Sequence, residues 1–374
     1  MNPEIQFNNL HNFSAGPGIL PDSVLRSLQE ALLEVPGMGL SLLGISHRSD
    51  WFLQVVQECT QQICELAGLD ADWEVLLLQG GATQQFSMIP QTFLQGQKQA
   101  ADYLETGYWS SKSLQPARLC GPVQVPWSGR TSGFHSLPPA DLSYNPQASF
   151  LHFVSNETVE GLQFHRVPGL AQVPRVCDMS SDFLSRPLDA AQYHLIYAHA
   201  QKNLGPAGVT VVLLRKSWLQ AQEERKKVNG LMLPDYQDYQ RQIQARSILN
   251  TPPVFAIYAV LLVLRWLRYE IGGLQVMADI NRAKAALVYG FLSQLYEQIE
   301  LQAEEPYRSL MNVAFRFRDP LLERRFLQTA QLAGFSGLEG HRSLGGLRIS
   351  LYNAMPLQSV RDLVDFMADF FHSL

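Results

Sequence analysis

The chain has 374 residues, enough to bury a large core and divide into two domains, and its 46% hydrophobic and 17% charged residues are ordinary for a soluble enzyme. A formal net charge of -5 gives no nucleic-acid surface. The 4 cysteines, Cys59, Cys64, Cys120 and Cys177, have neither zinc-ligand spacing nor the density of a disulfide scaffold, which excludes a structural metal site and fits a reducing compartment. The first residues lack the charged and apolar regions of a secretory signal. The longest uncharged apolar run, Val254 to Leu264, is too short to cross a bilayer. The expectation is a cytoplasmic globular protein without a membrane partner.

Asn12-Phe-Ser-Ala-Gly-Pro-Gly18 is a turn-rich opening, followed by a helix start at Pro21-Asp22. Val24, Leu28, Leu32 and Val35 recur at helical spacing until Pro36-Gly37. A connector ending in His47-Arg48 leads to an amphipathic helix capped near Ser49, with Phe52, Val56, Cys59, Ile63 and Leu66 on one stripe and Gly68 closing it. His47 and Arg48 thus precede a helix N-terminus, where amides and basic side chains can meet an anion, although such a pair is also an ordinary solvated turn.

Glu74 to Leu78 reads as a buried strand running into Gln79-Gly80-Gly81-Ala82-Thr83. Strand, glycine pair, then helix aims free amides at a phosphate, but the segment is neither a P-loop nor GxGxxG, and glycines also serve plain turns. Tyr108-Trp109 follows a glycine and is either core or a stacking platform for a flat cofactor. Residues 121–147, rich in Pro, Gly and Ser, read as an irregular connection. Ser149 to Val154 is a strand delivering Ser155-Asn-Glu-Thr158, and Pro174 to Asp178 is a short strand ending in an acid. Strands alternating with helices and ending in polar residues indicate an α/β domain whose ligands lie beyond the strands' carboxyl ends.

The central stretch is His194 to Leu214, where two strand-like apolar runs flank Ala200-Gln-Lys202-Asn and a turn at Gly205-Pro206 and Gly208. A lysine gripped there has a poorly solvated amine, and desolvation favours the neutral, nucleophilic form. The bland alternative is a loop lysine reaching water. Residues 217–247 read as surface helix and loop with a basic cluster at Arg225-Lys-Lys227. Asn250-Thr251-Pro252-Pro253 reads as a helix start with Thr251 as cap. The helix stops at Gly272-Gly273, which places a domain boundary near 265–273. A long amphipathic helix from Asp279 to Tyr296, an alternating strand from Asn312 to Phe317, a segment Gly340-His341-Arg342 to Leu351, and a final helix complete the chain.

Pyridoxal phosphate needs a lysine for its aldehyde, an acid for its ring nitrogen, a flat group on the ring, a hydroxyl near the phenolic oxygen and donors for the phosphate. Lys202, Asp178, Trp109, Thr158 and the start at Gly80–Thr83 meet that list, each at a predicted strand end or turn. Nearly end to end, the chain also resembles the phosphoserine aminotransferase family, class V of the fold-type I pyridoxal-phosphate enzymes. The segments that carry the resemblance include Asn12 to Pro17, Ser46-His-Arg48, Gly107-Tyr-Trp109, Asn156-Glu-Thr158, Asp178 to Pro187, Ala200-Gln-Lys202-Asn203, Asn250 to Pro253, Gly340-His-Arg342 and Leu351 to Pro356.

The resemblance implies a large domain over 17–268 with a mostly parallel, seven-stranded-type sheet flanked by helices. A smaller α+β domain over 269–374 would follow, with residues 1–16 packing on it. It makes Lys202 the Schiff-base lysine, Asp178 the pyridinium partner and Trp109 the ring-stacking residue. Thr158 and Gln201 would bond the cofactor, the amides of Ala82 and Thr83 would cradle its phosphate, and Asn250 and Thr251 would reach the phosphate in the partner subunit of a homodimer. His47, Arg48, His341, Arg342 and Arg348 match the substrate-anion set, with Arg348 for the α-carboxylate. The implied reaction is reversible amino transfer between phosphoserine with 2-oxoglutarate and 3-phosphohydroxypyruvate with glutamate. Three positions depart from the family's usual pattern: Ser155 for proline, His199 for a small residue, and Leu310 for an arginine. A cysteine desulfurase is disfavoured because all the cysteines precede Lys202; another class V aminotransferase is the closer rival.

Overall fold

A computed structural model describes residues 8–374; the first part of the expected 1–16 segment lies outside the described residues. In chain order the first half runs α1 (Asp22–Leu33), α2 (Asp50–Ala67), β1 (Trp73–Leu78), α3 (Gly81–Phe93), β2 (Ala101–Glu105), α4 (Tyr108–Cys120), β3 (Val123–Ser128), β4 (Leu151–Val154), β5 (Asn156–Glu157), β6 (Leu162–Gln163) and β7 (Arg175–Asp178). The rest is β8 (Leu195–His199), β9 (Thr210–Arg215), α5 (Lys216–Asn229), α6 (Tyr239–Gln244), α7 (Val254–Arg265), α8 (Leu274–Leu292), β10 (Ile299–Leu301), β11 (Asn312–Phe317), α9 (Pro320–Leu332), β12 (Leu347–Ser350) and α10 (Leu357–His372).

Seven strands form one sheet in the order β1-β9-β8-β7-β4-β2-β3. It is parallel from β8 to β3, and β9 runs antiparallel to both its neighbours. Its central strands β8 and β9 are almost wholly apolar and buried because both faces are covered there. Successive residues of β8 and β9 alternate: Ile196, Ala198, Val211 and Leu213 join one core with α2 and α7, and Leu195, Tyr197, Val212 and Leu214 join another with α3. The antiparallel sheet β10-β11-β12 packs with α9 and α10 around a separate core. Helix α8 bridges the two regions, with Leu274 and Met277 in the first core and Ala285, Val288 and Leu292 in the second. Phe13, whose N–H donates to Ser336 O at 2.8 Å, belongs to that second core.

Several local expectations change. Residues 121–147 contain β3, the edge strand of the main sheet. Its half-buried pattern and Pro126 hid it, since proline is tolerated at an edge and here coincides with a register shift opposite Asp102 and Leu104. Helix α1 ends before Val35 and buries Ala31 instead of Leu32. Helix α8 begins at Leu274, directly after Gly273, not at Asp279. The expected basic cluster is no solvated patch. Arg225 donates to the carbonyls of Thr92 and Gln95, and Lys226 is buried between Glu223 and Asp238.

Candidate active site

The parallel strands deliver their carboxyl ends to one edge of the sheet, and there a cavity of about 430 Å³ opens. Lys202 lines it from the turn between β8 and β9. The ladder pairs His199 with Thr210, and the turn closes with Leu204 and Gly205 N–H donating to Ala200 O at 3.0 and 2.9 Å. The opening segment braces it from outside: Gly18 N–H donates to Gln201 O at 2.7 Å, and a Cβ at Gly18 would lie 2.8 Å from Lys202 O. Burial is the main influence on the Lys202 amine and lowers it to about 8; nearby Asp178 opposes the shift and Arg348 adds to it.

Asp178, at the end of β7, is buried and accepts from Ser180 N–H at 2.8 Å. Burial raises its carboxyl; the Ser180 bonds and the Lys202 charge restrain that rise. The Trp109 ring centre lies 5.4 Å from Lys202 Nζ. Trp109 is held twice by the β5–β6 hairpin. Its Nε1–H donates to Thr158 Oγ1 at 3.1 Å, and its backbone N–H to Glu157 Oε2 at 3.0 Å. Glu157 also accepts from Ser110 N–H, and Glu160 from Tyr108 N–H, both at 2.9 Å, so two buried carboxyls cap α4. Burial and the Glu157 charge push Glu160 up to about 9. Burial raises Glu157 as well, but the helix-start amides make it the better place for the negative charge. Gly107 leaves room for the pair, since a Cβ there would meet Glu160 Oε2 at 2.5 Å.

Gly80, Gly81, Ala82 and Thr83 line the same cavity at the start of α3, together with His199 and Gln201. Gly80 and Gly81 hold φ of 91° and 70°, the left-handed region that glycine adopts without strain. No side chain caps this helix start.

The aminotransferase class-V profile matches residues 10–363. The chain is 43% identical to the phosphoserine aminotransferase of Laribacter hongkongensis over 365 residues, covering 96% of this chain and 98% of that protein. It is also similar to the solved phosphoserine aminotransferase of Bacillus circulans subsp. alkalophilus, with a TM-score of 0.91, 41% identity, and 97% and 98% of the two chains covered. The pyridoxal-phosphate-bound phosphoserine aminotransferase of Trichomonas vaginalis superposes with a TM-score of 0.87 at 31% identity over 96% and 99% of the chains. The chain belongs to the class-V aminotransferases. It has their fold-type I architecture.

The lining of this aminotransferase suits a flat, phosphorylated aldehyde. Lys202 offers a poorly solvated amine, Trp109 a ring face, Asp178 a buried carboxyl and α3 a set of amides. Gln201 Oε1 is buried without a partner, an acceptor left for a ligand donor. Thr158 accepts from the indole and keeps its own O–H free to donate.

Arg348, on β12, reaches Thr158 O from Nη1 at 3.1 Å, while its Nε is buried without a partner. The His341 ring packs tilted against Tyr108 with ring centres 4.7 Å apart, and Tyr108 itself packs edge-on to Trp109. Lys112 first, and Arg342 after it, lie close enough to Tyr108 to lower the phenol. Thr158, His341, Arg342 and Arg348 stand next to the cavity through Trp109 and Tyr108 and do not line it; His47 and Arg48 occupy the turn before α2, Asn250 and Thr251 are exposed before α7, and these four do not line it either. Thr251 is not a helix cap: α7 begins at Val254 with Pro253 as its cap residue and no side-chain cap bond. The second proline delays the helix, which leaves the Thr251 hydroxyl outside it.

Sequence reasoning missed the work of Glu157, Glu160 and Asn203. Asn203 Oδ1 accepts from Asn353 N–H at 3.0 Å, and its Nδ2 donates to Ser181 O at 3.0 Å, fixing the lysine turn against both cores. The acid beside Thr158 was visible as a polar strand tip, but its helix partner lies about fifty residues earlier, too far for any local pattern to show.

Proposed function

We propose that this aminotransferase exchanges an amino group between O-phospho-L-serine with 2-oxoglutarate and 3-phosphohydroxypyruvate with L-glutamate, using pyridoxal 5'-phosphate. The reaction belongs to serine biosynthesis, and the related 4-phosphohydroxythreonine would link the same site to pyridoxine biosynthesis. The observation that carries the reading is Arg348, with a spare donor, bonded to Thr158 beside the cavity lined by Lys202, Asp178 and Trp109 and near enough for its charge to act on the Lys202 amine. Similarity to phosphoserine aminotransferases at 43% identity over 96% of the chain supports the phosphorylated substrate.

The bound cofactor supplies an aldehyde for the amine and a ring that withdraws electrons from the substrate's α-carbon. Lys202, lowered to about 8, is about one-tenth neutral near pH 7, far more than an ordinary lysine, and its Nζ takes the α-proton in one direction and returns it in the other. Asp178 holds the proton of the ring nitrogen, Trp109 covers one ring face, and Thr158 and Gln201 fix the ring's polar edge. Ala82 and Thr83 offer backbone N–H groups to the phosphate. Arg348 forks onto the α-carboxylate, and His341 and Arg342 serve the distal anion, phosphate in one half-reaction and γ-carboxylate in the other.

The active form is a homodimer. Asn250 and Thr251 reach the partner's cofactor phosphate, and His47 and Arg48 complete the anion set across the same two-fold. Support comes from the exposure of Asn250 and Thr251, which leaves both free to meet a second subunit. A cytoplasmic location is supported by the four cysteines, which are all free thiols.

Amino-donor profiling of purified holoenzyme tests the substrate. Phosphoserine and glutamate should lead, and equal turnover of plain serine or alanine would refute the assignment. Mixing Lys202→Ala with Asn250→Ala/Thr251→Ala tests the assembly. After verified subunit exchange, heterodimers should carry one intact site and exceed either parent; activity that stays at the parental level would refute a shared site.

A further inference from the structure

His199 is the last residue of β8 and lines the cavity three positions before Lys202. Its Nδ1 lies 2.8 Å from Val209 O, and a carbonyl can only accept, so Nδ1 carries the hydrogen. Thr210 Oγ1 at 3.3 Å lies on the same side of the ring, and Ser180 Oγ accepts from the His199 backbone N–H at 3.1 Å. These contacts fix the tautomer and leave Nε2 as the free ring atom, with no hydrogen bond to it among the described residues. A Cβ built on Gly81 would lie 3.7 Å from Nε2, 3.7 Å from Cδ2 and 3.8 Å from Cε1. The Nε2 end of the imidazole therefore sits against the first residue of α3, where the helix amides favour an anion.

A bare imidazole lone pair is a poor neighbour for a phosphate oxygen, whereas a protonated Nε2 is a good one. We propose that His199 is a ligand of the cofactor phosphate, donating Nε2–H to it, and that the imidazole takes up a proton from solvent as the phosphate binds. The proposal rests on the reading of Gly80 to Thr83 as the phosphate cradle. The step is a proton transfer only: an Nε2–H bond forms on the ring lone pair as a buffer acid gives up its proton. The proton comes from the buffer and partly offsets the charge of the phosphate dianion.

The other ionisable side chains lining the cavity are Asp178 and Lys202. The neighbouring residues Gly81 to Thr83, Val209, Thr210 and Ser180 bring none. Burial first, and then the Lys202 charge, hold the imidazole of the ligand-free site below its ordinary range, while the Val209 bond opposes them. The proton thus arrives with the anion. Phosphate-dependent affinity should fall as pH rises through the value of the liganded imidazole.

The test compares binding of pyridoxal 5'-phosphate and of pyridoxal to apoenzyme by absorbance. Calorimetry in two buffers of different ionisation enthalpy counts the protons taken up. In wild type, pyridoxal phosphate should be preferred, with proton uptake that pyridoxal does not elicit. In His199→Ala, that preference should shrink about tenfold at mildly acidic pH, the effect of one charge-assisted bond, with pyridoxal affinity unchanged. His199→Gln keeps a neutral donor, so it should recover part of the preference and none of the proton uptake. Wild-type preference and uptake in both variants would overturn the proposal. A parallel loss of pyridoxal affinity in both variants would also overturn it, because His199 would then be packing alone. Wild-type protein with no preference for the phosphorylated form would refute the cradle itself.

Discussion

Lys202, in the turn after β8, and Lys284, in the middle of α8, both have amines lowered by burial, to about 8 and about 7 respectively. Their surroundings differ. Lys284 Nζ donates to the carbonyls of Leu351, Tyr352 and Met355 at 2.9, 2.7 and 3.2 Å, which occupies every proton an ammonium has. Lys202 Nζ makes no hydrogen bond among the described residues, faces a cavity and lies near Trp109 and Asp178. A depressed pKa therefore does not distinguish a reactive lysine from a structural one. The distinction lies in whether the amine's hydrogen-bonding capacity is spoken for and whether a substrate-sized space adjoins it.

The largest effect that separates the two is on turnover. Lys202→Ala should lower transamination by about a thousandfold or more, the scale of losing a proton-transfer group, while unfolding midpoints stay close to wild type. Borohydride reduction of holoenzyme and peptide mapping should place the pyridoxyl label on Lys202; a label on Lys284 would reverse the comparison. Next comes Asp178→Asn, which should still bind cofactor yet lose about a hundredfold in turnover, because a neutral amide cannot hold the ring proton. Near wild-type rates would remove Asp178 from its role.

Lys284→Met should act on stability instead. It takes a donor from three buried carbonyls, of which only Tyr352 O keeps another, Met355 N–H at 2.9 Å, an expected loss of about 2–4 kcal/mol in denaturant unfolding, with turnover per folded subunit within about threefold of wild type. A turnover loss on the scale of Lys202→Ala would mean that Lys284 also serves chemistry. The smallest effect is a pH profile. Labelling of Lys202 in apoenzyme by pyridoxal and borohydride needs the neutral amine, so its rate should rise with pH and level off above about 8 instead of about 10.5. Lys284 should stay unlabelled across the same range. A Lys202 profile still climbing toward pH 10 would contradict the desolvated amine.

This contrast also explains what the sequence could disclose. The Lys202 turn was legible because two apolar runs of strand length frame it and Gly205, Pro206 and Gly208 punctuate it. Asp178 was legible for a similar reason, as an acid closing a short apolar strand. Lys284 was not, since a lysine within an amphipathic helix ordinarily faces water, and its three carbonyls come from a turn about seventy residues later. The cap on α4 was hidden in the same way, because Gly107, Glu157 and Glu160 meet only once the sheet has formed. Edge strand β3 was lost to Pro126, and Thr251 was misread as a cap because Pro252 and Pro253 push the helix start back to Val254.

The asparagine bonds under the lysine turn have a mechanical consequence. Asn203 holds Asn353 N–H, Asn353 Nδ2 donates to Leu184 O at 3.0 Å, and Asn281 Nδ2 donates to both Ser185 O and Asn353 Oδ1, at 3.0 and 2.9 Å. Asn281, Asn353 and Asn203 are all buried, and α8 passes through the seam as one unbroken rod. A hinge that swung Arg348 toward or away from Lys202 would have to part these bonds where no water can replace them, at a cost of about 1–3 kcal/mol for each buried group left unpaired. The gap between the arginine and the lysine is accordingly a stiff one, and a substrate must fit that span by its own length.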